Sequence, residues 1–376
     1  MIIPDCPLPV WRELYDKAIA FRETACWEWM SDSSVFGVQN IDNDEIGYCC
    51  VLGEMGEVFG LVVYLGSEGL EIYRKIQSGK MSSSSTESRY GQNCLTTWFS
   101  NRGELDKTEL TTAKQLGHNF KGRNVWPQFR SMRPGYCPWH VTESEAIFLT
   151  DCLEQARLVA LRLKDHTLWL DPPKKNHYLL RVPCRGNGAG GEAPMATVAT
   201  AGKPPLSTEQ QMLFADINIT GALSWRDEWR AATPLLQTPV PAYPVDEVRL
   251  QRIKNICRSS DGIWEINAFY TPSPIAGDDR PYYPYTFLCV DHDSGMILDT
   301  TLAEPSKWPS EFPNALLKTF ESTKLMPSTL WLGNGPLLEL LEPLAARLGI
   351  EAIAAKKLPS LADAKRELLK FLDRQL

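Results

Sequence analysis

Between Trp264 and Gly335 the chain alternates short apolar, β-prone runs with turn formers, a pattern that only a sheet satisfies economically. Residues 285 to 290 make an apolar strand, Asp291 to Gly295 a tight turn, and residues 296 to 302 the return. Ile263 to Asn267 supply a strand before this hairpin and Thr329 to Leu332 one after it, the latter running into Gly333, Asn334, Gly335 and Pro336. Helical spacing predicts helices near 245–258, 310–323, 336–348 and 360–374, with a further short strand at 351–354. Strands followed by alternating helix and strand predict an α/β layer with a mixed sheet over residues 251–376.

A chain of 376 residues is too long for one ordinary core. Upstream, residues 1–170 predict an α+β domain. Val10, Leu14, Ala18 and Phe21 recur at helical spacing, strands follow at 36–40, 46–52 and 58–65, and a helix near 67–78 closes the unit. Gly53 to Gly56 between the last two strands predicts a hairpin. The serine run at 82–85 predicts a mobile loop over 78–92, ahead of a strand near 94–99 and a helix near 106–116. Thr142 and Glu145 have the spacing of a capping box opening a long helix with Ile147, Phe148, Cys152, Ala156, Val159 and Leu163 expected on its apolar face. Residues 171–250 are rich in Pro and Gly and predict a connecting region, with a strand within it at His177 to Cys184. The glycines between Gly186 and Gly191 lack the Lys-Ser/Thr ending of a phosphate-binding loop and predict a linker or hairpin tip.

The formal charge of −7 argues against a whole-protein footprint for nucleic acid. The opening residues lack a basic segment followed by an apolar run, and no run of about 18 apolar residues occurs, which predicts a cytoplasmic protein away from the membrane. None of the ten cysteines stands in a Cys-x-x-Cys pair, so neither a zinc site nor any other metal or cofactor is predicted. Cys49 and Cys50, adjacent in a strand, should point to opposite faces as buried hydrophobes. The five histidines contain no His-x-x-x-His pair, and no Gly-x-Ser-x-Gly elbow occurs.

The strand order of residues 251–376 resembles the RNase H-like fold of retroviral integrases and DDE transposases. In that family a Trp-x-x-Asp-like strand, an Asp-x-x-Ser-Gly-like turn and a later Asp-Asn-Gly stand where this chain has Trp264 to Asn267, Asp291 to Gly295, and Gly333 to Gly335. Two-metal chemistry needs carboxylates, because a hard Mg²⁺ or Mn²⁺ is held and charge-balanced by anionic oxygens. The two aspartate positions read Asn267 and Gly333 here, and of the acidic triad only Glu367 has plausible spacing. The resemblance therefore implies a degenerate, catalytically inactive scaffold with no metal. The whole chain also resembles a bacterial family joining an N-terminal α+β domain of unknown function to such a C-terminal domain. That likeness rests on residues 36–40, 46–50, 126–139 and 280–284, and it implies no activity or ligand.

Trp126 to His140 is the best candidate for an interaction surface. Arg130 and Arg133 have the chemistry to clamp a phosphate or carboxylate, while Trp126, Tyr136, Trp139 and His140 offer rings for stacking or packing. The competing reading buries these rings under the long helix and pairs the arginines with acidic groups of their own domain. Asp291 and Asp293 flank His292, but aspartate in a Gly-ended turn has a sufficient local role. The expected function is thus a non-catalytic binding or regulatory protein with a protein partner. The alternatives are a metal-dependent nuclease or phosphotransferase using Glu265, Asp291 and Asp293, or an interaction module of a mobile-element or defence system. Strand alternation opposes the nuclease, since Glu265 and Asn267 share a strand face while the two aspartates lie in a turn.

Overall fold

The computed structural model describes residues 6–82, 86–166, 169–184, 224–235 and 240–373. Its first layer runs α1 (Leu8–Thr24), β1 (Phe36–Gln39), β2 (Ile46–Leu52), β3 (Gly60–Leu65), α2 (Gly66–Gln77), α3 (Thr86–Gly91), β4 (Cys94–Ser100), α4 (Lys107–Gln115), β5 (Trp126–Met132), α5 (Glu143–Asp165), β6 (His177–Cys184) and β7 (Ser224–Ala231). The strands form a seven-stranded sheet in the order β5-β4-β3-β2-β1-β6-β7. All neighbours are antiparallel except β1 and β6, which the long α5 connection makes parallel.

Both faces of this sheet are covered. Leu14, Ala18 and Phe21 of α1 and Leu149, Cys152, Ala156 and Val159 of α5 bury against Cys49, Val51, Leu61 and Leu95. Ile147, expected on the apolar face of α5, is instead 42% exposed. On the other face Leu70 and Tyr73 of α2 meet Tyr48, Cys50 and Val62. Cys49 and Cys50 thus enter different cores, as a period of two requires. The capping box at α5 forms, with the Glu145 N–H donating to Thr142 Oγ1 (3.3 Å) and the Thr142 N–H donating to Glu145 Oε2 (2.8 Å).

Two expectations are corrected. The first sheet does not stop near residue 170: the strand expected at His177 to Cys184 forms as β6 and joins that sheet, and β7 extends it further into the stretch expected to be a connecting region. β7 sets Trp225 and Trp229 on the core side against Arg226, Glu228 and Arg230, an alternation that Asp227 interrupts; as an edge strand it tolerates those charges. Its Asp227 accepts from Arg181, a fully buried guanidinium on β6 that also donates to Gln155 of α5 (2.8 Å). Second, α3 lies inside the loop expected at 78–92. The Gly186 to Gly191 run lies outside the described residues.

The second layer runs α6 (Glu247–Ile256), β8 (Arg258–Ser259), β9 (Ile263–Tyr270), β10 (Tyr285–Asp291), β11 (Ile297–Ala303), α7 (Trp308–Thr323), β12 (Leu325–Met326), β13 (Thr329–Leu332), α8 (Gly335–Leu348), β14 (Glu351–Ala354) and α9 (Pro359–Asp373). Five of its strands form a mixed sheet in the order β11-β10-β9-β13-β14. The first three are antiparallel, and β13 and β14 run parallel to β9. Trp264, Ile266 and Ala268 point toward α7 and α8. Phe269, Leu288 and Val290 receive Leu361 of α9 on the opposite face.

Candidate functional site

The residues expected to form a binding surface are placed by β5 and the loop that follows it. Pro127 is tolerated because β5 is the edge strand. Trp126 is not at a surface: it is 6% exposed, and its ring meets Phe120 at 5.1 Å within the first core. Arg130 pairs with Glu109 and lies 3.8 Å from Asp106, while His140 Nε2 stands 3.4 Å from the same aspartate. Burial, the largest influence, pushes the His140 imidazole below its ordinary value, and Asp106 opposes it. Arg133 donates to Glu145 Oε1 (2.9 Å), which also accepts from the Ser131 hydroxyl (2.8 Å). Both arginines are therefore engaged by carboxylates of their own domain. Among the described residues Asp106, Glu109 and His140 stand close enough to share an ion, but Arg130 already supplies the counter-charge there.

Residues 131–139 form a finger whose base is closed by two bonds between Ser131 and Trp139, at 2.8 and 3.0 Å. Its tip docks on the second layer, at the ribbon from Arg280 to Pro284. The Cys137 N–H donates to Pro281 O (3.0 Å), the Tyr283 N–H to Gly135 O (2.8 Å), and the Gly135 N–H to Tyr90 O (2.7 Å). Gly135 has φ 79°, and a Cβ there would lie 2.5 Å from Pro305 and 2.7 Å from Tyr270, so only glycine fits this approach. Tyr136 donates to Glu304 (3.0 Å) and faces Tyr282.

Arg280 fills the centre of this joint. It is 8% exposed, donates through Nη2 to Ser131 O (2.6 Å) and Cys137 O (2.7 Å), and lies under the Tyr136 ring at 5.6 Å. Burial first, and Arg133 next, bring its guanidinium down to about 10, still charged at neutral pH. Two motifs read separately in the sequence, residues 126–139 and 280–284, are thus the two halves of one contact. No local pattern marks Arg280, because its acceptors are backbone carbonyls more than 140 residues away.

The second place of interest is the end of β9 and β13. Asn267 and Gly333 stand side by side there, the Gly333 N–H donating to Ile266 O (3.0 Å). Gly333 is filled over by its neighbour: a Cβ would meet Asn267 Cγ at 2.5 Å. The Asn334 amide donates to Asn267 Oδ1 (3.2 Å), and Asn334 Oδ1 caps α8 by accepting from Leu337 (2.9 Å). Glu367 is 66% exposed on α9 and pairs with Lys370 at 2.9 Å.

Glu265 behaves unlike the carboxylates around it. It is fully buried, accepts from His292 Nδ1–H (2.6 Å) and from the Leu361 N–H at the start of α9 (2.7 Å). The His292 ring packs beside Trp331 at 4.7 Å. Asp291 instead caps its own turn, accepting from the Ser294 N–H (2.9 Å) ahead of Gly295 at φ 69°. Glu265, Asp291 and Asp293 do not assemble into one ligand set. The sequence reading missed the Glu265–His292 pair; a lone carboxylate within the apolar run of β9 was its one signal.

No curated protein matches the chain. Among solved structures, the catalytic core domain of BIV integrase aligns at 16% identity over 30% of this chain and 68% of that one, with a TM-score of 0.24. The HTLV-2 integrase catalytic core domain in complex with magnesium aligns at 15% identity over 32% and 73%, also with a TM-score of 0.24. These superpositions are too loose to carry a fold assignment. Family models match over most of both layers: residues 11–181 match the Domain of unknown function (DUF7309) and residues 249–369 the Domain of unknown function (DUF6930), so the chain joins one domain of each kind.

Proposed function

We propose that this chain is a non-catalytic binding or regulatory protein of the cytoplasm, with a protein as its partner and a degenerate RNase H-like sheet as its scaffold. The observation that carries this reading is the packing at the end of β9 and β13. A two-metal centre needs carboxylates on both strands. Here a carboxamide lies across a glycine whose missing side chain is the space it occupies. The neighbouring amide of Asn334 closes the group with a hydrogen bond between neutral partners. Strand order supports the scaffold, with an antiparallel trio followed by two parallel strands.

The test is a native mass spectrum before and after addition of Mn²⁺, together with incubation of the protein with DNA and RNA in the same buffer. The expected result is a bare mass unchanged by the metal and intact nucleic acid. Divalent-metal-dependent cleavage that disappears in Glu367→Ala would overturn the reading and make the chain an enzyme.

A further inference from the structure

Four strands terminate the two larger sheets: β5, β7, β11 and β14. A sheet edge displays unpaired N–H and C=O groups, and natural proteins blunt it with charge, proline, covering chain or brevity. Three of the four edges carry such a device. β5 contains Pro127, and the Trp139 segment returns over its end. β7 carries Arg226, Asp227, Glu228 and Arg230. β14 has only four residues and begins with Glu351.

Among the described residues β11 has no strand beside its outer edge, and it carries neither proline nor basic side chains. It is seven residues long, Ile-Leu-Asp-Thr-Thr-Leu-Ala. Its single carboxylate, Asp299, accepts from the Thr301 hydroxyl at 3.1 Å. Ile297 is 46% exposed and Leu302 52%, and Met296 beside them is 60% exposed. The ladder with β10 is irregular only between Cys289 and Val290, near the hairpin tip, so residues 299 to 303 present a regular edge. The joint with the first layer, which reaches Glu304 and Pro305, stops short of Leu302.

We propose that β11 pairs antiparallel with β11 of a second copy of this chain, fusing two five-stranded sheets across a two-fold axis at Thr300. The occupant follows from the register. With Thr300 opposite itself, Ile297 faces Ala303, Leu298 faces Leu302 and Asp299 faces Thr301. Every pair is then aliphatic against aliphatic, carboxylate against hydroxyl or, on the axis, threonine against threonine, and no like charges meet. An isologous contact requires that self-complementarity. A single strand pair buries less than a standard interface of about 1,600 Å², so the dimer dissociates on dilution.

The test is sedimentation velocity of the full chain from about 1 to 200 µM, a range that spans weak association. Wild type should shift from monomer toward dimer as concentration rises. Thr300→Lys sets two ammonium groups against each other on the axis and should weaken dimerisation about fivefold. Val248→Lys, at a residue 80% exposed on α6, should leave it unchanged. Far-UV circular dichroism matching wild type shows that Thr300→Lys, at an exposed edge position, keeps its fold. A wild type that stays monomeric throughout, or a dimer that survives Thr300→Lys, overturns the proposal.

Discussion

Asp151 has been left by the fold with few favourable contacts. It sits on α5 facing Glu13 and Asp42, and its nearest cationic influence, Lys17, is committed to Glu154 at 3.4 Å. Burial first, and the two carboxylates next, push its carboxyl up to about 7 from an ordinary 3.8. The sign follows from proton binding. Between those two values the folded chain holds a proton that the unfolded chain has released, so this group favours the fold below pH 3.8 and the advantage is lost as pH rises through about 7. Asp151→Asn keeps the shape and removes the charge. It should raise stability by up to about 4 kcal/mol at pH 8 and by almost nothing near pH 4. Denaturant midpoints of the two proteins across that pH range check the claim, and parallel curves would refute it. None of this is legible in the sequence, where Asp151 is one charge on a long amphipathic helix. What burdens it arrives from α1 and from the turn after β1, both more than 100 residues earlier.

At the scale of elements, what could be read is what is local. The box at Thr142 and Glu145 spans four residues, and it forms as read. α9 is the opposite case. Leu358 stands at its N-cap, its carbonyl accepting from Ala362 (2.9 Å), and a leucine side chain can cap nothing. The acceptor for the Leu361 N–H comes instead from Glu265 on β9. Glu265 thus joins three elements at once: its own strand, the α9 terminus and, through His292, the turn after β10. Arg130 and Arg133 show the same limit from the other side. The sequence offers them both an exposed clamp and pairing with acidic groups of their own domain; the pairing forms, but the sequence cannot name the partners, because Glu109 and Glu145 sit on separate helices. Removing the Glu265 carboxylate by Glu265→Ala leaves a buried N–H and the imidazole without their acceptor, at a cost of about 2–4 kcal/mol. Amide exchange over the first turns of α9 should accelerate well beyond that of α7, and Glu265→Gln, which retains one acceptor, should fall between. Uniform acceleration in both helices would mean that Glu265 supports the whole sheet and does not specifically hold α9.

At the scale of the molecule, the two layers were foreseeable from their periodicities, but their contact was not. Each layer has its own core, and a chain of that design unfolds in two steps unless something couples the cores. Arg280 is the residue placed to do so. Its guanidinium is withdrawn from water without a facing carboxylate among its hydrogen-bond partners; those partners are the carbonyls of Ser131 and Cys137 in the other layer. A lysine offers a compact ammonium in place of the planar fork that reaches both, so even Arg280→Lys is a severe change. The Tyr136 ring and the two backbone bonds from Cys137 and Tyr283 complete the contact, and they depend on the finger staying ordered. Arg280→Ala should therefore cost about 2–4 kcal/mol and also change the character of unfolding. Wild type is expected to melt in one calorimetric transition, and Arg280→Ala to resolve into two. Tyr136→Phe, which loses the hydroxyl's bonds to Glu304 and Ser306, should lower the melting temperature slightly and keep one transition. A single, barely shifted transition in Arg280→Ala would locate the coupling elsewhere, in the aromatic contacts of Tyr90 with Tyr270 and Tyr283 at 5.3 and 4.6 Å.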